Sequence, residues 1–326
     1  QVYQIHDGSI KAVDAVYFNG VEADGVTHDG TLTVYDGEAD YVVDLSTGLM
    51  TLYTNPLGEV TCDVRGDNSG AGYIDRAGAI ATRILDDYSG WPSGAINYGS
   101  FNDMDGVSNW EAGFYTGTDD YSIRDMLGEL VEGMRGYWFI CPDSDCLNAG
   151  VISMIPNNSV ASLTDNDIIS IARRSTVSPL HKIKFGYQRN YTVQRDDILA
   201  GATTDAHRTF AVAEYRSYQN ENATTDIDTT HPMAGDLVYD TQIMNYQDAG
   251  NASAQAVNSM RHGMHIYEIV TGNLTYQYTI GDTYNITFSK WGLSGGRNMR
   301  LVGFNLDAAK DRGTLYFWTY DKITDW

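Results

Sequence analysis

The sequence predicts a mixed α+β fold in which β-structure dominates. Glycine is abundant (33 residues), proline is scarce (6), and there are 23 tyrosines. The glycines fall mostly between strand-like runs, and tyrosine favours strands and interfaces. At 326 residues, the chain is long enough for two domains of roughly 100–200 residues each. A chain of this size can bury a large core and needs no disulfides or structural metals for stability.

Residues 1–66 predict a series of β-hairpins. Residues 12–18 form a strand-like run that is followed by Asn19-Gly20, a strong hairpin turn signal. Residues 31–35, followed by Asp36-Gly37, repeat that pattern. A third hairpin is predicted from residues 41–45 and 50–53 across Ser46-Thr47-Gly48, and residues 60–64 close this block with alternation.

Residues 67–160 change to a mixed α/β pattern after a loop at 66–72. Residues 75–88 have helical spacing, and residues 122–134 predict a clearer helix with Ser122 as N-cap and Gly136 at its end. Residues 137–141 and 149–155 predict two strands across a turn at 142–145. This block has the character of an α/β insertion between β-rich parts.

The rest of the chain returns to β-structure. Residues 164–167 predict a capped helical turn, and residues 205–242 predict a polar, irregular excursion. Residues 245–263 predict a helix of small residues. The predicted strands are residues 182–187, 191–194, 265–271, 283–289, 299–306 and 313–320.

The net charge is strongly negative. There are 21 Lys and Arg against 43 Asp and Glu, which gives −22. Such a charge excludes a general nucleic-acid binder and disfavours docking on anionic lipid. No apolar run approaches the roughly 18 residues that span a bilayer.

The three cysteines are too few, and odd in number, for a disulfide scaffold. Cys141 and Cys146 flank a predicted turn, so they can face each other across a hairpin. They are two plain thiols, a cross-strand disulfide or, least favoured, half of a metal site that lacks a second ligand pair.

No other motif predicts catalysis, a cofactor or a metal. Residues 102–106 resemble the start of a calcium loop, but the required Glu is missing, which favours a solvated acidic turn. His262 and His265 lack the nearby Glu of a zinc protease. We therefore expect no catalytic, cofactor-binding or metal site.

The only basic stretch is an intersubunit patch or a solvated face; its members are Arg173, Arg174, His181, Lys182, Lys184 and Arg189.

Four stretches, in this order, carry a resemblance to a known family. They are residues 3–8 with 11–21, residues 41–48 with 60–66, residues 185–194, and Gly281-Asp282 with residues 301–318. This order resembles the tail hub proteins (baseplate hub or tip attachment proteins) of tailed bacteriophages and gene transfer agents. The resemblance covers most of the chain.

The resemblance implies tube-like β-barrel domains with an inserted α/β domain, the tail-hub type of α+β fold. It divides the chain into a first part of a tube-like barrel at 1–66, the inserted domain at 67–160, a return to the first barrel at 161–204, and a second tube-like domain with one helix at 205–326. Because Gln1 is not Met and residues 2–6 look like the middle of a strand, we expect further residues upstream. Because no lectin-like or hydrolase domain follows Trp326 in this sequence, the hub interpretation does not lead us to expect direct host recognition by this chain.

The resemblance also implies a function. It implies that three chains form a pseudo-sixfold ring, which joins the tail tube to the tip and lines the DNA exit channel of the virion. The implied partners are further copies in a homotrimer, the distal tail or tail tube ring, tip or fibre proteins and the tape measure protein. DNA passes through the lumen without specific binding, and the chain is made in the bacterial cytoplasm.

The negative charge has two interpretations in this setting. Acidic side chains in a lumen repel phosphate and let DNA slide, or the acids serve solubility in a saline habitat.

Two other functions remain as alternatives. A carbohydrate- or receptor-binding adhesin of the tail tip would use the polar residues 219–248 as a display loop, and a glycan-cleaving enzyme would need a carboxylate pair.

Overall fold

The computed structural model describes residues 1–30, 39–56, 58–70, 72–117, 121–141, 144–152, 158–177, 179–221, 233–260, 263–272, 278–307 and 309–320. The chain divides into two compact units. The first consists of Gln1–Arg76 and Gln188–Arg216, and the second of Ala77–Tyr187 and Ser217–Trp326. The hairpin strand predicted at residues 31–35, with its turn at 36–37, lies outside the described residues.

The described elements confirm an α+β fold dominated by strands. The strands are β1 (Val2–Gln4), β2 (Ile10–Phe18), β3 (Val21–Glu22), β4 (Gly25–His28), β5 (Tyr41–Asp44), β6 (Leu49–Leu52), β7 (Val60–Asp67), β8 (Gly136–Cys141), β9 (Cys146–Val151), β10 (Ala161–Leu163), β11 (Ile168–Val177), β12 (Leu180–Tyr187), β13 (Arg216–Glu221), β14 (Gly235–Asp240), β15 (Met264–Gly272), β16 (Thr283–Ile286), β17 (Arg297–Asp307) and β18 (Arg312–Tyr320). The α-helices are α1 (Ala77–Tyr88), α2 (Tyr98–Val107), α3 (Ile123–Leu127), α4 (Asp205–Ala211) and α5 (Tyr246–Met260). No helix of the described residues is long and apolar enough to cross a membrane.

The first unit contains two small sheets around one apolar core. Their strand orders are β1-β6-β5-β4 and β3-β2-β7. Val16 and Val43 lie at the centre of this core and are fully buried. The predicted hairpin at Asn19-Gly20 is confirmed: Phe18 pairs with Val21, and both turn residues have positive φ, at 51° and 81°. A two-residue turn of this kind matches the twist of the strands it joins.

The segment 188–216 packs on this β-block within the same unit. Ala200 N donates to Asn19 O at 2.9 Å, and the rings of Tyr17 and His207 stack at 3.9 Å. The predicted strand at residues 191–194 is wrong. The Asn190 amide replaces a strand partner, because its Oδ1 accepts from Thr192 N and its Nδ2 donates to carbonyls of α4.

The second unit contains an α/β layer built from α1–α3, the β8–β9 hairpin, the sheet β13-β12-β14 and α5. The helices predicted at 75–88, 122–134 and 245–263 are confirmed, with Ser122 as the N-cap that accepts from Asp125 N. Helix α3 continues directly into a π-helical turn at Gly128–Glu132.

Gly136 does not end that helix, as the sequence predicted. Arg135 takes the left-handed conformation, with φ of 59°, and Gly136 begins β8. The reason is space: a Cβ at position 136 would stand 2.7 Å from Val131 O and 2.9 Å from Gly150 O. The glycine is therefore needed at position 136, one residue after the left-handed Arg135, because the backbone there lies close to the backbone oxygens of Val131 and Gly150.

Residues 102–106 are not a solvated acidic turn. They belong to α2, whose N-cap is Asn97. The Asp105 carboxylate accepts from Gly78 N at 2.7 Å and from Ala79 N at 2.9 Å. It therefore satisfies backbone donors in the first turn of α1, where a negative charge is also favoured by the helix dipole.

The second unit also contains a six-stranded sheet of order β10-β16-β17-β18-β15-β11. Its two edge strands, β10 and β11, follow each other in the chain and are joined only by residues 164–167. Asp167 N donates to Thr164 O at 2.9 Å, so the ends of this turn are within about 7 Å of each other. In a flat sheet the edges would be about 24 Å apart. The sheet therefore curls, and we call it the curled sheet.

Inside the curled sheet lies a second core of the unit, in which Leu301, Leu315 and Phe317 are fully buried. Among the described residues no ladder joins β10 to β11, so the curled sheet is open along that seam. Closure into a barrel stays a prediction. Strands β10 and β11 pair with strands from the last quarter of the chain.

The predicted excursion at residues 205–242 contains more regular structure than expected. It holds α4, β13 and β14, with Thr204 as the N-cap of α4. Polar side chains hide these elements in the sequence, because β14 has one face on the α/β core and one in solvent. Residues 222–232 of this stretch lie outside the described part.

Candidate assembly surfaces

The histidines and acidic residues of the sequence motifs are the first candidates for a site. Within the described ranges, no group of three or more His, Cys, Asp or Glu side chains is placed to hold a metal ion. His265 is 3% exposed on β15, with its Nδ1 3.0 Å from Thr176 Oγ1. Its motif partner His262 lies outside the described residues.

Cys141 and Cys146 face each other across the β8–β9 hairpin, as predicted. They are Cα partners at its end, and both are free thiols. Cys146 Sγ lies 3.2 Å from the carbonyl oxygens of Gly94 and Ser144. The pair holds a position that a disulfide could bridge, but it is reduced here.

Cys62 differs from these two thiols in its surroundings. It lies on β7 beside the first unit's core, and burial raises its pKa to about 11. The nucleophile in alkylation is the thiolate, so at pH 8 only about one Cys62 in a thousand is reactive. We expect iodoacetamide to label Cys62 at least about tenfold more slowly than Cys141 and Cys146 at pH 8.

Peptide mass spectrometry of timed samples measures these rates. Between pH 8 and pH 10 the Cys62 rate should rise with the thiolate fraction, because the pH approaches its raised pKa from below. Cys62→Ser should leave the labelling of the other two thiols unchanged. Equal rates for all three cysteines at pH 8 would contradict the assignment.

A cluster of buried arginine and tyrosine side chains joins β8 to the curled sheet. Arg135 and Arg300 are only 6% and 8% exposed, and Arg135 Nη2 donates to Ser259 Oγ at 2.8 Å. Burial lowers the pKa of both guanidinium groups and raises the pKa of the Tyr137 phenol. The Tyr137 hydroxyl occupies the space that a Cβ on Gly281 would need. These contacts fix the α/β layer on the curled sheet.

The basic stretch of the sequence does not form one patch. Arg173 and Arg174 lie on β11, whereas His181, Lys182 and Lys184 lie on β12. Arg189 follows in the first unit, where it pairs with Glu214 at 3.2 Å and lies 4.8 Å from the Tyr191 ring centroid. Only the pair on β11 lies at an exposed strand edge.

Strand β11 forms one edge of the curled sheet. On one side it pairs with β15, and no strand of the described residues covers the other side. All five residues 173–177 are exposed. Register shifts between Ile168 and Ser170 and between Arg173 and Ser175 indicate two β-bulges.

Strand β14 forms an edge of the three-stranded sheet. It pairs with β12 in parallel, and its other side has no strand partner in the described part of the chain. Leu237 and Tyr239 pack on the α/β core, so Asp236, Val238 and Asp240 point to the opposite face by alternation. Val238 is 65% exposed. These two edges are the candidate assembly surfaces of the second unit.

The negative charge is unevenly distributed along the chain. Residues 1–160 contain 25 Asp and Glu against six Lys and Arg, whereas residues 161–326 contain 18 against 15. The β-block and the first three helices are therefore strongly acidic, and the C-terminal half of the chain is close to neutral. The composition alone could not show which structural parts carry the excess.

No family model matches this chain, and no curated protein matches it either. Several solved structures are similar to it at low identity. The 43 kDa tail protein of prophage MuSo2 from Shewanella oneidensis is 12% identical with a TM-score of 0.42, over 97% of this chain and 88% of that one. The tail protein from Neisseria meningitidis MC58 is 12% identical with a TM-score of 0.40, over 64% of this chain. The prophage tail protein gp18 from Listeria monocytogenes EGD-e is 11% identical with a TM-score of 0.30, over 61% of this chain. The chain spans 58% and 52% of the lengths of these last two proteins.

Proposed function

We propose that this chain is a structural tail hub protein of a phage virion. Three copies form a pseudo-sixfold ring that joins the tail tube to the tip and lines the DNA exit channel. The protein acts by symmetric assembly, without catalysis and without a cofactor. Its place in the virion is the tail tip or baseplate, after synthesis in the host cytoplasm.

The curled sheet is the observation that carries this proposal. A tube wall needs a sheet that bends strongly, and the short turn between β10 and β11 forces such bending on six strands. The stretches of the resemblance also occupy strands: residues 11–21 form β2 and β3, and residues 301–318 form most of β17 and β18. The resemblance and the geometry therefore support the same role.

The acidic N-terminal half supports a conduit that does not hold DNA. Double-stranded DNA carries a dense line of phosphate charge, and binding depends on its neutralisation by Lys and Arg. A half of the chain with 25 acids against six bases repels that charge where these acids are exposed. We propose that part of this surface faces the channel, so that DNA slides past it.

The proposed partners follow from the position in the tail. Further copies of the chain complete the trimer, the distal tail or tail tube ring lies on one side, and tip or fibre proteins lie on the other. The tape measure protein occupies the lumen before DNA does. Each of these contacts needs exposed backbone edges or side chains, and β11 and β14 offer such edges.

The solution mass tests the proposal, together with negative-stain images of the purified chain. We expect a mass near three times 36.0 kDa and a threefold ring. A gel-shift assay at low salt should show no retention of double-stranded DNA. A monomer at the highest soluble concentration that still fails to join purified tail tube rings would contradict the hub. Binding or cleavage in a glycan screen would then support the adhesin or the enzyme instead.

A further inference from the structure

The exposed edge of β11 has a distinct charge. Residues 168–177 contain Arg173 and Arg174 and no acidic residue. Arg174 forms a bidentate ion pair with Glu268 of β15, in which both N–O distances are 2.8 Å. Arg173 donates to Thr176 Oγ1 at 3.0 Å, and no carboxylate of the described residues forms an ion pair with it. Within the described part of the chain, a positive charge without an acidic partner therefore stands at this edge.

The β14 edge has the opposite charge. Its six residues contain Asp236 and Asp240 and no Lys or Arg. Asp240 is exposed, and the Asp236 carboxylate lies 3.8 Å from His181 Nδ1. Both aspartates lie on the face that also exposes Val238. An acidic edge with an apolar centre thus faces solvent within the same unit as the basic edge.

Open strand edges of this length need a partner or a protecting device, because their backbone donors and acceptors can template another chain. The two bulges in β11 protect it partly, since they limit regular pairing to short runs such as residues 170–173. The bulges also restrict which other strands can pair with β11 in register. A short strand of complementary charge is the partner that fits such a run.

We propose that β11 of one copy pairs edge to edge with β14 of a second copy of this chain. Pairing of β11 with β11 would gather four arginines, and pairing of β14 with β14 would gather four aspartates. Like charges on neighbouring strands destabilise a sheet, whereas opposite charges stabilise it. The mixed pair places Arg173 near an aspartate and joins the two sheets into one.

This contact has a consequence for symmetry. It uses two different surfaces of each copy, so each copy gives one edge and receives the other. A head-to-tail contact of this kind closes into a ring or continues as a filament, unless two copies engage both edges reciprocally about a twofold axis. The inference deepens the proposed hub function and rests on its self-association.

Charge reversal at the two edges tests the pairing. Arg173→Glu should raise the protein concentration at half-assembly about tenfold, since it turns attraction to Asp236 or Asp240 into repulsion. Asp240→Lys should have a similar effect. The chain with both substitutions should regain most of its assembly, because the introduced glutamate can then pair with the introduced lysine. Sedimentation velocity over a concentration series measures each value.

Arg195→Glu is the matched control. Arg195 is also exposed, with 77% of its side chain accessible, and it pairs with Asp197 in the other unit. The net charge changes equally, so a general repulsion between copies would affect both variants alike. Circular dichroism and melting curves show that each variant is folded.

Amide hydrogen exchange gives a second readout. Residues 170–177 and 235–240 should gain protection on assembly of the wild-type chain. If Arg173→Glu and Arg195→Glu assemble alike, or if the double variant regains nothing, the pairing is wrong while the hub proposal stands. If the wild-type chain stays monomeric, alone and with tail tube rings, both proposals are overturned.

Discussion

Phe317→Ala should destabilise the curled sheet by about 3–5 kcal/mol. Phe317 lies on β18, is fully buried, and makes an edge-to-face contact with Tyr284 at a centroid distance of 5.6 Å. Its β17 and β15 partners, Leu301 and Tyr267, belong to the same core. Removing a buried phenylalanine loses its transfer free energy and leaves a cavity that the surrounding side chains of the curled sheet fill only in part.

Urea denaturation followed by far-UV circular dichroism measures this loss. Val302→Ala is the control, because Val302 lies on β17 but is 41% exposed, and its expected change is about 0.5 kcal/mol. If Phe317→Ala does not fold, Phe317→Leu keeps most of the volume and should cost less. A loss under about 1 kcal/mol for the alanine variant would mean that this core does not hold the curled sheet together.

Gly78→Ala should destabilise the α/β layer by about 1–3 kcal/mol, although alanine is the better helix former. A Cβ on Gly78 would stand 2.5 Å from Phe101 O and 2.8 Å from Asp105 Oδ2. The first of these atoms belongs to the α2 backbone, so α1 and α2 must move apart. That movement would also weaken the hydrogen bonds from Gly78 and Ala79 to Asp105.

For Gly106→Ala, on the neighbouring helix α2, we expect a stability change of the opposite sign. Gly106 lies in α2, is exposed, and has no atom within 4 Å of the place where a Cβ would stand. The same substitution should therefore stabilise by up to about 1 kcal/mol. Melting temperatures of the two variants should move in opposite directions. If both melting temperatures rise, helix propensity, and not the close approach of the helices, decides the sign.

The sequence predicted well the elements that depend on local chemistry. Asn19-Gly20 gives its turn because both residues tolerate positive φ, and Ser122 caps α3 through its own side chain. Helix α2 was missed because Gly99, Gly106 and several polar residues weaken its periodic signal. Its stability comes from packing of Phe101 and Met104, which the sequence does not display.

The assembly surfaces were less predictable. The basic stretch is visible as a run of residues, but its separation between β11, β12 and the first unit follows from strand pairing. The edge position of β11 depends on its ladder with β15, far along the chain. No local propensity encodes such a pairing. Alternation around Asp236 and Asp240 was the available signal for β14, and the polar surroundings of that strand concealed it.

The order of strands in the curled sheet also bears on how the protein is made. Strands β15 to β18 lie close together in the chain and form the four central strands. In contrast, β11 pairs with β15, which begins at Met264, far beyond the end of β11 at Val177, and β10 pairs with β16. Closing such long loops is entropically costly, and non-local sheets fold slowly. During synthesis, β10 and β11 therefore leave the ribosome well before their partners exist. Their edges stay available to chaperones until nearly the whole chain has been translated.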